Sequence, residues 1–287
     1  MKIAIAGATG KLGMLVVDAL LERGASPEQI IAIGRSEEKL APLAARSVQV
    51  RIADYNAPAT LIPALEGVDK LLLISSSEVG QRISQHENVI HAAKAVDVSL
   101  VAYTSIANAL TGQMKLAAEH VATEQLLAAS GLDYVLLRNG WYTENYTDQI
   151  MGYLNSGVIL GCAGDGKISA AARADFAEAA AVVLLSQETQ AGKIYELGAD
   201  KAFTLTQLAG AVSAAGGHEV SYKEMDPETL ADIYEQSGVP ALFADILVDT
   251  DVRIREGALE VTSGQLAQLI GHAPTSLGKV IKNALDQ

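Results

Sequence analysis

The chain has 287 residues, is 49% hydrophobic and carries a formal net charge of −13. This acidic balance, without a basic run, argues against nucleic acid or an anionic membrane as the main partner, but it allows a local basic pocket. Cys162 is the only cysteine, which excludes an intrachain disulfide and a cysteine-rich metal site. The first residues are typical of a strand and not of a signal peptide, and no apolar run approaches the ~18 residues of a membrane span. We therefore expect a cytoplasmic protein.

The first predicted unit is a strand, a glycine-rich turn and a helix. An apolar run over residues 2–6 leads into the spacing G-x-x-G-x-x-G at Gly7, Gly10 and Gly13, and a helical pattern follows. Amides at the start of a helix attract phosphate, and glycine lets a pyrophosphate approach the backbone. We interpret residues 7–13 as the phosphate-binding loop of a dinucleotide site. The alternative is a tight strand-to-helix turn in an ordinary α/β protein.

The second predicted strand, residues 30–33, ends in Gly34 and Arg35. In NAD-binding versions of this unit, a carboxylate near this point holds the ribose 2′-hydroxyl. Arginine instead offers a permanently charged, planar fork that suits a 2′-phosphate. The sequence therefore predicts NADP(H) and not NAD(H). Lys11, inside the glycine loop, is either a second charge for the cofactor or a solvated lysine at a helix start.

Strands and helices alternate six times before residue 140, which predicts a doubly wound parallel sheet with helices on both faces. The later strands of this series are expected over residues 48–52, 70–74, 100–104 and 133–138. Ligands bind at the carboxyl ends of the strands in such sheets. All of these ends are small, polar or charged, namely Gly7–Gly13, Gly34–Arg35, Asp54, Ser75–Ser77, Thr104–Ser105 and Asn139–Gly140.

The sequence pattern changes after about residue 139, and this change divides the chain into residues 1–140 and 141–287. The first region is predicted to be a Rossmann-like NADP-binding domain, to which some later segments can return. The second is predicted to be smaller and mostly helical, with helices over residues 141–155, 175–185, 206–215, 227–236, 240–248 and 277–285 and strands at 193–197 and 220–222. We expect this region to supply the substrate pocket.

The glycine loop, Arg35 and three further stretches resemble the NmrA-like group of atypical short-chain dehydrogenases/reductases. The further stretches are Leu71–Arg82 (LLLISSSEVGQR), Leu136–Tyr146 (LLRNGWYTENY) and Gly164–Ile168 (GDGKI). The resemblance covers nearly the whole chain. It implies a Rossmann-like domain that binds NADPH, a smaller domain that helps to form a quinone pocket, and the two-electron reduction of quinones.

The resemblance also implies roles for individual residues. The pyrophosphate would contact Gly7, Ala8, Thr9, Gly10, Lys11 and Leu12, and Arg35 would hold the 2′-phosphate. The cofactor cleft would be lined by Ser75, Ser76 and Ser77. The nicotinamide half and the substrate would be flanked by Asn139, Gly140, Trp141, Tyr142, Thr143 and Glu144, and Arg173 would reach the site from the second domain.

The Tyr-x-x-x-Lys motif of ordinary short-chain dehydrogenases is absent. Lys115 lies on the appropriate helix, but Thr111 stands four residues before it, which disfavours an alcohol dehydrogenase of that type. A quinone accepts a hydride readily, so catalysis can rest on positioning and the exclusion of water. Asn139 is a candidate for holding the nicotinamide amide or a substrate oxygen, and Tyr142 for donating to a quinone oxygen. Each also fits a structural role, as a turn-forming Asn-Gly and as a buried tyrosine.

The predicted activity is NADPH-dependent quinone reduction by direct hydride transfer, since no flavin-specific motif is found. The histidines do not cluster, and no metal is predicted. The alternatives are an NADP(H)-binding redox sensor without turnover, an isoflavone-reductase-like or epimerase-like enzyme, and a structural protein. The expected partner is a small-molecule quinone, with no nucleic acid and no membrane span. The oligomeric state is left open, with a homodimer as one alternative.

Overall fold

The computed structural model describes residues 1–286, so Gln287, the last residue of the second predicted region, lies outside the described residues. The strands are β1 (Ile3–Ala6), β2 (Ile30–Gly34), β3 (Gln49–Ile52), β4 (Lys70–Leu73), β5 (Leu100–Ile106), β6 (Tyr134–Asn139), β7 (Val158–Gly161), β8 (Ile194–Leu197) and β9 (Ser221–Glu224). The helices are α1 (Lys11–Glu22), α2 (Glu37–Ala44), α3 (Pro58–Leu65), α4 (Arg82–Ala95), α5 (Ala117–Ser130), α6 (Glu144–Thr147), α7 (Ile150–Ser156), α8 (Arg173–Leu185), α9 (Leu205–Gly216), α10 (Pro227–Gln236), α11 (Ala241–Arg255), α12 (Gln265–Ile270) and α13 (Leu277–Leu285).

The predicted doubly wound sheet is confirmed. Seven strands lie in the order β3-β2-β1-β4-β5-β6-β8, and the pairings among the first six strands are parallel. The strands β1, β2 and β5 are buried along their whole length, as continuous apolar strands must be when both faces of a sheet are covered. The chain order reverses between β1 and β4, which is where sheets of this kind bind their ligands.

By its internal contacts the chain divides into two compact units. The first unit consists of residues 1–106, 119–139 and 174–195, and it holds the core on which the sheet is built. The second unit consists of residues 107–118, 140–173 and 196 onward, and it contains a two-stranded parallel sheet of β7 and β9. None of the helices found in residues 1–286 combines the length and the apolar character that crossing a membrane requires.

Some elements are as predicted but pair in a way that the sequence did not specify, and others differ. The strand predicted at residues 193–197 is present as β8 and joins the main sheet beside β6, a long-range pairing that no local pattern reveals. The helix expected over residues 141–155 is two helices, α6 and α7, which are separated at Asp148 and Gln149. The elements α2, β7 and α12 were not predicted.

The helix expected to end at Val248 continues as α11 to Arg255. Two acidic residues of this extension have hydrogen-bond partners inside the second unit. Asp249 Oδ2 accepts a hydrogen bond from the backbone N–H of Lys115 at 2.7 Å, and Asp251 Oδ2 accepts one from Cys162 N–H at 2.8 Å. Asp249 and Asp251 therefore fix two loop segments to α11, and the helix continues past both residues to Arg255.

Burial makes Asp251 a titrating group of the second unit. Burial raises the pKa of the Asp251 carboxyl to about 6, although the hydrogen bond from Cys162 N–H lowers this pKa. A raised carboxyl pKa stabilises the fold below the unfolded-state value of about 4. That contribution is lost as the pH rises through about 6.

We therefore expect Asp251→Asn to stabilise the protein at pH 7.5 and to have no effect near pH 4. The gain is on the order of 1–2 kcal/mol, because the side chain is only partly buried. The asparagine oxygen can still accept from Cys162 N–H. Urea unfolding of both proteins between pH 4 and 8 measures the difference. Asp232→Asn, at an exposed position of α10, is the control for the loss of one carboxylate charge, and a difference for Asp251→Asn that stays constant with pH would contradict the assignment.

Candidate functional site

The glycine turn after β1 has the geometry of a phosphate-binding loop. Gly7 has a φ of +84°, a conformation that favours glycine, and its carbonyl accepts from Gly10 N–H at 3.0 Å. A Cβ on Gly13 would lie 2.7 Å from Ala8 Cα and closer still to the Gly7 carbonyl oxygen. The N-cap of α1 is Gly10, which supplies no side-chain acceptor to the amides of the first turn. The turn therefore fits an anion that accepts hydrogen bonds from these backbone amides.

Arg35 lies beside this turn, at the carboxyl end of β2. Gly34 packs against Thr9 so closely that a Cβ at Gly34 would lie 2.9 Å from Thr9 Cγ2. The Arg35 side chain is 62% exposed, and its Nη1 lies 2.7 Å from Oε1 of Glu78. A guanidinium therefore stands at the predicted position of the 2′-phosphate, and it already binds one anionic group.

The segment Ser75–Ser77 follows β4 at the same edge of the sheet, and buried side chains hold it. Ser75 N–H donates to Thr104 Oγ1 at 2.9 Å, and Ser76 N–H donates to His86 Nε2 at 3.0 Å. Arg82 Nε donates to the Ser76 carbonyl oxygen at 2.6 Å. The backbone of this segment is therefore fixed by the strand β5 and the helix α4.

His86 of α4 is fully buried. Its Nε2 accepts from Ser76 N–H, so its Nδ1 carries the proton and donates to Thr123 Oγ1 at 2.9 Å. Burial lowers the pKa of His86 to about 3, which keeps the ring neutral. Sequence reasoning missed Arg82 and His86 as positioning residues. The available signal was the set of polar residues on a helix that must pack against the sheet.

Asn139 ends β6 with a buried side chain whose Oδ1 has no hydrogen-bond partner within residues 1–286. The preceding residue, Arg138, is fixed by Glu124, which it contacts through Nε at 2.9 Å and Nη2 at 2.6 Å. The Ser105 hydroxyl donates to the same carboxylate at 2.6 Å. A buried acceptor without a partner is costly. Asn139 Oδ1 therefore fits a ligand that brings an N–H donor.

The remaining candidate residues lie in the second unit. Gly140 N–H donates to the Leu197 carbonyl oxygen at 2.7 Å, and a Cβ at this position would lie 2.9 Å from that oxygen. The backbone of Trp141 accepts from Ala171 N–H at 3.1 Å, and Thr143 N–H donates to the Ala171 carbonyl oxygen at 2.9 Å. Gly140 therefore allows a close backbone contact with Leu197. The segment that follows Gly140 is fixed by a single parallel β-bridge between Tyr142 and Ala171.

Three candidates of the second unit lie together at the start of α8. Both carboxylate oxygens of Glu144 accept from Arg173 N–H, at 2.9 and 3.0 Å. The Arg173 guanidinium lies 5.0 Å from the centre of the Tyr142 ring, a cation–π distance. This group thus presents an aromatic ring and a cation in a fixed arrangement.

Within residues 1–286, no group of three histidine, cysteine or acidic residues has the geometry of a metal site.

The first unit therefore gathers Gly7–Leu12, Arg35, Ser75–Ser77 and Asn139 along the carboxyl edge of one sheet. The second unit gathers Gly140–Glu144 and Arg173 into a separate group. The first group offers a phosphate-binding turn, an arginine and an unpaired buried acceptor. These are the groups that a phosphorylated nicotinamide dinucleotide requires.

Comparison with known proteins supports this assignment. A profile described as NAD(P)H-binding matches residues 7–187. The chain is 48% identical to quinone oxidoreductase 2 of Escherichia coli over 98% of both chains. The crystal structure of NADPH-dependent quinone oxidoreductase QOR2 from E. coli, complexed with NADPH, matches with a TM-score of 0.95 over 99% of each chain.

A second solved relative is triphenylmethane reductase from Citrobacter sp., complexed with NADP(H). It is 36% identical, with a TM-score of 0.93 over 99% of this chain and 100% of the reductase. The likeness to these reductases is therefore of full length and extends beyond the glycine turn that many dinucleotide-binding proteins share. The chain belongs to the NAD(P)H-binding family, in the NmrA-like group of atypical short-chain dehydrogenases/reductases that its sequence resembles.

Proposed function

We propose that this protein catalyses the NADPH-dependent two-electron reduction of quinones by direct hydride transfer. The observation that carries this proposal is the full-length likeness to quinone oxidoreductase 2 of E. coli, whose structure holds NADPH. The absence of Tyr-x-x-x-Lys agrees with it, because a quinone needs no dedicated acid or base to accept a hydride.

The first unit is the proposed NADP-binding domain. Residues 7–12 would hold the pyrophosphate, Arg35 the 2′-phosphate, and Ser75–Ser77 the wall of the cofactor cleft. The cofactor, when bound, supplies the hydride. Asn139 Oδ1 is an acceptor and a quinone carbonyl oxygen is also an acceptor, so Asn139 suits the N–H of the nicotinamide amide better than the substrate.

The second unit is the proposed substrate domain. The hydroxyl of Tyr142 would donate to a quinone oxygen, while Arg173 holds the Tyr142 ring from its face. Glu144 fixes the first amide of α8 and thereby the position of Arg173. Gly140, Trp141 and Thr143 would flank the nicotinamide half through the backbone. Excluding water and orienting the two rings would supply most of the rate enhancement.

Turnover without added flavin tests this function. Purified protein should oxidise NADPH in the presence of a small benzoquinone and not in its absence, and it should use NADPH in preference to NADH. NADPH binding without turnover across several quinones would contradict the proposal and favour the redox sensor. We also propose that the protein is cytoplasmic and that it forms a homodimer. Light scattering on the purified protein determines the oligomeric state.

A further inference from the structure

The ion pair between Arg35 and Glu78 crosses the end of strand β1. In the sheet, β1 lies between β2 and β4. Arg35 follows β2 and Glu78 follows β4, so the 2.7 Å contact between Arg35 Nη1 and Glu78 Oε1 spans the edge at which Gly7 begins the glycine turn. The ion pair therefore lies where the adenosine half of a dinucleotide approaches its phosphate-binding turn.

The fold fixes Glu78 in this position. Its Oε2 accepts from Nε2 of the buried Gln85 at 2.7 Å, and its backbone N–H donates to Ser76 Oγ at 3.2 Å. Ser76 itself is held by the buried Arg82 and His86. The hydrogen bonds from Gln85 and Arg35 lower the pKa of the Glu78 carboxyl, so it is ionised at neutral pH. A negative charge is therefore held in place beside Arg35.

We propose that Glu78 is a specificity-determining residue that competes with the 2′-phosphate of NADPH for the Arg35 guanidinium. This inference rests on the proposed role of Arg35. A phosphate that binds Nη1 of the Arg35 guanidinium must displace the Glu78 carboxylate from that nitrogen, and the two anions repel each other when both lie beside Arg35. NADH carries a neutral hydroxyl at the same position, so its binding does not require the ion pair to break. Glu78 thus limits the affinity for the phosphorylated cofactor and promotes its release.

The variant Glu78→Gln removes the charge but keeps an oxygen that can accept from Gln85. We expect the Kd for NADPH to fall by about 3- to 10-fold, because an exposed ion pair and a phosphate–carboxylate repulsion are both removed. The Kd for NADH should change less than about twofold. The gain should shrink at 0.5 M salt, where exposed charges are screened. Fluorescence titration with each cofactor measures these constants.

The matched control is Glu38→Gln, which removes the same charge three residues from Arg35, at an exposed position of α2. It should change the Kd for NADPH less than about twofold, because a solvated charge without direct contact is screened. An equal gain for NADPH and NADH in Glu78→Gln, or an equal gain in Glu38→Gln, would overturn the inference by showing a general effect of net charge.

A double variant separates this inference from the role of Arg35. In an Arg35→Gln background, Glu78→Gln should tighten NADPH binding less than it does in the original protein, because only the phosphate–carboxylate repulsion is then relieved, and an equal gain in both backgrounds would overturn the competition for Arg35. If Glu78→Gln has no effect while Arg35→Gln alone weakens NADPH and spares NADH, the competition is overturned and the role of Arg35 stands. If the Arg35 variant affects both cofactors equally, the 2′-phosphate assignment itself fails.

Discussion

Arg35→Glu should weaken NADPH binding by about 30- to 1,000-fold, which corresponds to about 2–4 kcal/mol. The change removes the charged fork and places a carboxylate where we propose that the 2′-phosphate binds, beside the carboxylate of Glu78. NADH binding should change less than about threefold, since its ribose hydroxyl is neutral. Calorimetric titration of both cofactors into the same preparation measures the selective loss.

Arg46→Glu is the matched control for this charge reversal. Arg46 resembles Arg35 because it is partly exposed and forms an ion pair, with Asp18 at 2.6 Å. The substitution of arginine by glutamate changes the net charge by the same amount at both positions. It should leave both cofactor affinities within about twofold of the original values. Equal weakening of NADPH and NADH by Arg35→Glu would show that Arg35 does not contact the 2′-phosphate.

Gly13→Ala should destabilise the protein by about 2–4 kcal/mol and abolish measurable NADPH binding. The added methyl would meet the carbonyl oxygen of Gly7 and would lie 2.7 Å from Ala8 Cα, and both neighbours are backbone atoms that cannot rotate away. The helix α1 must therefore move off the turn. Alanine is otherwise the better helix former by about 1 kcal/mol, so the steric clash decides the sign.

Gly210→Ala gives the comparison without a clash. Gly210 is an exposed residue in α9, and a Cβ there meets no heavy atom within 4 Å. We expect a gain of about 0.5–1 kcal/mol in the free energy of unfolding and unchanged NADPH binding. A Gly13→Ala protein that unfolds like the original and still binds NADPH would contradict the packing described for the glycine turn.

The first six strands could be predicted because five of them are built on short apolar runs and β3 alternates polar and apolar residues, and a polar or glycine-rich segment follows each strand. Their bounds shift by one or two residues at most, and the sheet order places Gly7, Arg35, Ser75 and Asn139 at one edge. Local pattern and the rules for parallel sheets are sufficient for this result. The role of each of these residues toward the cofactor stays a prediction.

The features that sequence reasoning missed depend on partners distant in the chain. The strand β8 pairs with β6 across more than 50 residues, and Asp249 and Asp251 of α11 anchor backbone amides of Lys115 and Cys162. Arg82 and His86 are polar residues that are buried because they bind the backbone of Ser76. Residue type alone favours solvent for these aspartate, arginine and histidine side chains, so their positions follow only from the tertiary structure.

The most direct test of the proposed chemistry is rapid mixing of the flavin-free protein, saturated with NADPH, against a benzoquinone in the absence of oxygen. Using NADPH deuterated in turn at each of the two C4 positions, we expect a primary isotope effect on the absorbance decay at one position and not at the other. We expect no flavin absorbance to appear. Bound NADPH that persists after mixing with several quinones would contradict direct hydride transfer and identify the protein as a cofactor-binding sensor.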